Sequence, residues 1–300
     1  MRLALLANPA ARAGSGTGAA ERAAEALRAH GVETTLVSGG SADESRRLLR
    51  TALDLGVDAV AVAGGDGTVG LAIAEVAGTG TPLGIIPCGT GNDFATTLGI
   101  RELDAEAAAS AIVGGRTRDV DLARVVRDDG TTAHFATVLA SGFDSKVNDR
   151  ANAMRWPRGG SRYNIAILIE FLTLARIPYS VEAVLEDGTV ERFDGDLVMA
   201  TVGNGRTYGG GIPIAPDADV ADGLLDLVLV RPAGRIRLLR LLPRVYRGTH
   251  RGVAQVTMRR VRSVRLDSRG VTAYADGDPI GALPLTVEVV PAALTVFVPD

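Results

Sequence analysis

The sequence predicts an α/β first part, a parallel sheet with helices on both faces, followed by a β-rich second part of sandwich type. Three observations predict it. Over roughly the first 120 residues, short apolar runs alternate with amphipathic helical runs, the order of successive βαβ units. Beyond Asp119, strand-like runs follow one another between turn signals, with few helical patterns among them. The 300 residues, 46% apolar and 22% charged, have the balance of a soluble globular chain of one or two domains. The expected division is 1–120 and 121–300, with the last strand, about 291–300, able to return to the first domain.

Taken in order, Leu3 to Ala7 is an apolar strand closed by Asn8-Pro9, and a helix from about Thr17 to His30 stops at Gly31. Thr34 to Val37 is the second strand. Ser41 with Glu44 three positions on forms a capping box for a helix that runs to Leu55 and stops at Gly56. Asp58 to Ala63 and Leu83 to Ile86 are buried strands, and Asp104 caps an Ala-rich helix ending near Gly114. In the second part, strands are expected at His134–Ala140, Ser180–Leu185, Leu197–Val202, Leu224–Val230, Val261–Leu266, Val271–Ala275, Leu285–Val290 and Leu294–Val298. Asp187-Gly188 and Asp276-Gly277 are hairpin signals. Two helices are expected there, about Arg162–Ala175 and Arg235–Arg247, the second carrying Pro243 inside it.

Composition removes several functional classes. No apolar run approaches the length that crosses a bilayer, and the apolar stretch before Pro9 is too short for a signal peptide. The lone Cys88 forms no internal disulfide and suits a reducing cytoplasm. Three histidines and one cysteine provide no zinc-ligand cluster.

Three turns sit where strands of the first part end: Asn8-Pro9 with Gly14 and Gly16, then Gly64-Gly65-Asp66-Gly67-Thr68, then Pro87 to Phe94 with Gly89, Thr90, Gly91, Asn92 and Asp93. Ligands of open parallel sheets bind at that edge. Glycine lets the backbone approach a phosphate, and the N–H groups that open the next helix point at the anion. Asp66 inside such a loop repels a bare phosphate, and a metal ion between them removes the conflict. Any one of these loops is as readily a structural turn. Three along one edge favour a phosphate site.

With those turns in place the chain resembles the bacterial diacylglycerol and lipid kinases, related to sphingosine kinases and more distantly to NAD kinases. The resemblance rests on Asn8-Pro9, the Gly64 to Thr68 loop, Gly89 to Ala95, Tyr208-Gly209-Gly210-Gly211, Asp222 to Asp226 and Asp276-Gly277-Asp278. It implies an NAD-kinase/diacylglycerol-kinase-like first domain that holds ATP against Asn8, Ser38, Gly65 to Thr68 and Thr90. Pro9, Gly64, Gly89, Asn92 and Asp93 belong to the same turns. It further implies a structural Mg²⁺ at Asp222, with backbone oxygens near Asp219 and Leu224; read without the family, Asp222-Gly223 is a plain hairpin turn. It makes Asp278 the acceptor of the lipid hydroxyl's proton, with Asp276 its rival. Read from the residues alone, both are a polar hairpin tip. Three departures stand out: Gly70-Leu71 replaces a common Asn-Glu, Asp278 replaces a Glu, and the Asn8 to Gly16 loop is looser than usual.

Charge is segregated. From Arg231 to Arg265 there are eleven arginines and no acidic residue, leaving 21 basic against 35 acidic residues elsewhere, a formal −14. Arg237, Arg240, Arg244, Arg247 and Arg251 recur at helical spacing, with leucines and Tyr246 on other faces. The pattern fits an interfacial helix on anionic headgroups, or equally a solvated helix face. Trp156 between Arg155 and Arg158 is a second candidate membrane contact. The basic segment has one aromatic residue and so lacks stacking platforms for nucleic acid.

The expectation is therefore a cytoplasmic, peripherally membrane-associated kinase using ATP and Mg²⁺ to phosphorylate a lipid hydroxyl, diacylglycerol first. The rivals are a kinase for another lipid alcohol, such as a sphingoid base or phosphatidylglycerol, and an inactive nucleotide or lipid sensor, the last motivated by Gly70-Leu71.

Overall fold

The structure is a computed structural model describing residues 1–7, 15–154, 156 and 160–299. Four parallel strands, β1 (Arg2–Ala7), β2 (Glu33–Val37), β3 (Ala59–Gly64) and β4 (Leu83–Pro87), form a sheet in the order β2-β1-β3-β4. Leu3, Leu5 and Ala61 face α1 (Ser15–Ala29) and α5 (Ala105–Gly114), while Leu6, Val60 and Val62 face α2 (Ala42–Asp54) and α3 (Asp66–Val76). Each large side chain buried this way is worth roughly 1.5–3 kcal/mol over leaving it in water. The helix starts are set locally. Ser41 Oγ accepts from Glu44 N at 3.2 Å and Asp104 Oδ1 from Ala107 N at 2.8 Å. Glu44 reaches back to Gly40 N rather than to Ser41 itself, at 2.6 Å.

The second part is a two-sheet sandwich. One sheet runs β14 (Asp278–Ala282), β13 (Thr272–Ala275), β7 (Val138–Gly142), β10 (Met199–Gly203), β11 (Leu225–Val230), β12 (Val256–Asp267). The other runs β9 (Val190–Leu197), β8 (Ile177–Leu185), β12, β15 (Leu285–Phe297), β5 (Thr117–Arg127), β6 (Thr132–Phe135). β12 belongs to both: Val256–Val261 pair with β11 and Ser263–Leu266 with β15. Leu139, Val202 and Leu227 meet Val125, Val264 and Val287 in the core between them. β15 and β5 also reach the parallel sheet, where Val296 pairs with Leu83 of β4.

Several sequence expectations are corrected here. The run His134–Ala140 is two strands, because Ala136 N and Thr137 N donate to the Asp276 carboxylate instead of to a ladder. Leu197–Val202 is also divided: the chain leaves one sheet at Leu197 and joins the other at Met199. Conversely, Leu285–Val290 and Leu294–Val298 are one strand, with a register shift between Val290 and Leu294. Beside α7 (Gly160–Leu172) and α8 (Arg235–Tyr246), the second part has a third helix, α6 (Phe143–Ala153). Its sequence is polar, and only Ser145, Val147 and Ala151 are buried, so its apolar periodicity is thin. Pro243 sits inside α8 without ending it.

Candidate active site

Because β1 to β4 are parallel, their C-terminal ends line one edge, and the candidate turns follow from it. Ser38 follows β2; Gly65 to Thr68 open α3 directly after β3; Gly89 to Asp93 connect β4 to the short helix α4 (Asp93–Thr97). Asn8 and Pro9 lie outside the described residues. The glycines are there because the two loops touch. A Cβ on Gly89 would come within 2.4 Å of Gly65 Cα, and one on Gly91 within 2.4 Å of the Asp66 carboxylate. Asn92 braces the second loop, accepting from Gly89 N at 3.0 Å and donating to Gly89 O at 2.9 Å.

Asp66 Oδ1 accepts from Asp93 N at 2.7 Å, so the acid of the first loop caps the helix that the second loop begins. Burial, then the neighbouring Asp93 charge, raise its pKa, and the α4 amides oppose them. Asp93 itself is 6% exposed and accepts from Gly210 N at 2.9 Å and Gly211 N at 2.8 Å. Those glycines have positive φ, from 60° to 110° across Gly209–Gly211, at the tip closed by Tyr208 and Ile212. One continuous set of hydrogen bonds therefore links the Asp66 loop, the Asp93 turn and the Tyr208 loop of the second part.

The late turn reaches the same place. Asp276 and Gly277 have φ of 50° and 90°, as a two-residue type I′ hairpin requires. The Asp276 carboxylate accepts from Ala136 N at 2.8 Å, Thr137 N at 2.9 Å and Thr137 Oγ1 at 2.5 Å. Its pKa is raised, by burial first, with the Asp66 charge adding to it. Asp278, two residues on, is exposed at the start of β14. The two carboxylates thus stand in different surroundings, one locked by three donors and one open.

Asp219, Asp222 and Leu224 lie together on the turn before β11, where the two carboxylates are engaged within the protein. Asp222 Oδ1 accepts from Leu224 N at 3.0 Å and its Oδ2 is paired with the Arg260 guanidinium. The Asp219 carboxylate pairs with Arg118 at 3.1 Å. Among the described residues no cluster of three His, Cys, Asp or Glu side chains forms a metal site. What fixes this turn is Asp121, which sequence reading passed over. Buried at 4% exposure, it accepts from Gly223 N at 2.7 Å and from Ala292 N at 2.8 Å. The available signal was an acid set between Val120 and Leu122, the apolar middle of β5.

The arginine-rich segment divides. Arg251, Arg259, Arg260 and Arg265 are in ion pairs, Arg235 and Arg262 donate to backbone oxygens, and Arg231 lies over the Phe193 ring. Arg237, Arg240 and Arg244 on α8 and Arg247 at its C-cap are exposed, and among the described residues no side-chain hydrogen bond or ion pair involves their guanidinium groups. Beside them Ile236, Leu239 and Tyr246 are also exposed, at 70%, 54% and 60%, while Leu238 and Leu241 anchor the helix. Trp156 is 81% exposed. No helix among the described residues is long and apolar enough to cross a membrane.

Residues 2–125 match the diacylglycerol kinase catalytic domain, and residues 137–298 match the YegS C-terminal NAD kinase beta sandwich-like domain. A diacylglycerol kinase of Mycobacterium tuberculosis is 44% identical over 298 residues, covering 99% of this chain and 95% of that protein. In fold, the chain is similar to the crystal structure of a putative diacylglycerol kinase from Bacillus anthracis (TM-score 0.75, 22% identity, 99% and 96% of the two chains). It is similar at greater distance to an NAD kinase from Archaeoglobus fulgidus solved in complex with ATP (TM-score 0.54, 15% identity, 100% and 94% of the two chains). Both halves of the sequence lead to one assignment: the chain belongs to the diacylglycerol kinase family of lipid kinases.

Proposed function

We propose that the protein transfers the γ-phosphate of ATP to the free hydroxyl of diacylglycerol, giving phosphatidic acid and ADP. The observation that carries the reading is the joining of three loops by Asp66, Asp93 and the Gly210 and Gly211 amides, with the Asp276 turn beside them. The M. tuberculosis relative's name supports the choice of acceptor. Residues 1–120 hold the nucleotide along the strand ends, at Ser38, the Gly64 to Thr68 turn and Thr90; residues 121–300 admit the lipid. Mg²⁺ bound with the nucleotide would supply neutralising charge at the phosphates, and Asp66 is the carboxylate that would hold it. Asp278 takes the proton of the attacking hydroxyl, because its carboxylate is open where Asp276 has spent its oxygens on Ala136 and Thr137. The α8 arginines that no carboxylate neutralises, with the exposed apolar side chains beside them, seat the enzyme on anionic lipid.

The test is phosphate transfer from γ-labelled ATP to a panel of lipid alcohols in mixed micelles. Diacylglycerol should give the highest kcat/KM. Preference for a sphingoid base or phosphatidylglycerol would move the acceptor, and failure of every lipid would reduce the protein to a binding role.

A further inference from the structure

Helix α6 carries no residue of the phosphate site, yet two of its acids hold tyrosines that end on the catalytic turns. At its first turn, Asp144 Oδ2 accepts from the Tyr208 hydroxyl at 2.8 Å. Tyr208 begins the loop whose Gly210 and Gly211 amides grip Asp93. Five residues along the helix, roughly 7.5 Å up its axis, Asp149 Oδ1 accepts from the Tyr274 hydroxyl at 2.5 Å. Tyr274 lies two residues before Asp276 on β13, and it is 5% exposed.

We infer that α6 is a strut that sets the spacing between the Asp93 turn and the Asp276 turn, with Tyr208 and Tyr274 as positioning residues. Two observations carry this beyond ordinary packing. Both contacts are hydroxyl-to-carboxylate bonds, the strong, directional kind, and they arise from one rigid element. The Tyr208 bond is also sheltered: Asp144 keeps some solvent-exposed surface, yet it is enclosed enough that its pKa is pushed up to about 6. The helix is itself fixed at its start, where Gly142 N donates to Ser145 Oγ at 3.0 Å, and on its side, where Arg150 pairs with Glu170 of α7. In-line phosphoryl transfer depends on positioning, so a small loosening between nucleotide turn and proton acceptor lowers turnover.

The catalytic consequence rests on the lipid-kinase reading, whereas the mechanical one does not, and the experiment reads both. Tyr208→Phe and Tyr274→Phe remove one hydroxyl each and leave the rings in place. Backbone amide exchange by NMR should quicken about tenfold at Gly210 and Gly211 in the first variant, and at Ala136, Thr137 and Asp276 in the second. With diacylglycerol, kcat should fall about tenfold in each while the melting temperature moves little. Asp144→Asn, which keeps an acceptor for Tyr208, should restore most activity that Asp144→Ala loses. Unchanged exchange in both variants overturns the strut, and faster exchange with kcat within twofold of the wild type overturns its catalytic consequence. A wild type inactive on every lipid would sink the proposed function instead, and the exchange data would still decide the strut.

Discussion

Replacing Asp276 and Asp278 by Asn, one at a time, should separate a half-buried anchor from a proton acceptor. Asn keeps one acceptor oxygen and puts an NH₂ donor where the second stood. At Asp276 both oxygens are in use, toward Ala136 N on one side and Thr137 N and Oγ1 on the other. Whichever way the amide turns, one backbone N–H loses its acceptor, at about 1–3 kcal/mol, and the surviving bonds lose their charge assistance. Relief of the buried charge offsets part of this, leaving a net loss of about 3 kcal/mol. The positive φ adds nothing, since Asn tolerates it. For a chain of this length the melting temperature should fall by about 5 °C. Asp278 is exposed, so Asp278→Asn should leave melting unchanged and lower kcat by roughly two to four orders of magnitude, with ATP affinity nearly constant. The assays are thermal unfolding and initial-rate transfer on the same preparations. The reasoning fails if Asp278→Asn keeps more than about a tenth of wild-type turnover, or if Asp276→Asn loses activity without losing stability, which would make Asp276 the base.

Two further outcomes follow from the same geometry. Asp66→Ala should abolish phosphate transfer and also loosen α4, whose first amide it caps; retention of more than about a tenth of turnover, roughly 1.4 kcal/mol of barrier, would remove Asp66 from the nucleotide's metal. Replacing Arg237, Arg240, Arg244 and Arg247 together by Gln should sharply reduce co-sedimentation with anionic vesicles at low salt, each contributing about 1 kcal/mol, while activity on a short-chain soluble acceptor persists; equal sedimentation would leave α8 a solvated face.

Sequence alone determined the elements whose causes are local. The apolar runs of β1, β3 and β4, the caps Ser41 and Asp104, and the Asp276-Gly277 turn are each settled by a few neighbouring residues and their preferred dihedrals. The arginine stripe was legible for the same reason, since helical spacing is a local property, and the structure singles out its four unpaired members. What tertiary structure alone decided is partnership across the chain. A carboxylate does not announce in sequence whether water, a backbone amide or a guanidinium will face it. Nothing near Asp222 in the sequence points to Arg260, 38 residues away, whose guanidinium pairs with its carboxylate. Asp276 and Asp278 looked alike until Ala136 and Thr137, some 140 residues earlier, closed around one of them and broke a strand in doing so. α6 escaped notice because its purpose lies in two tyrosines held from Asp144 and Asp149, contacts that leave no periodic trace. Hydrogen bonds between distant segments depend on where the sheets bring them, and in this protein those bonds assemble the site.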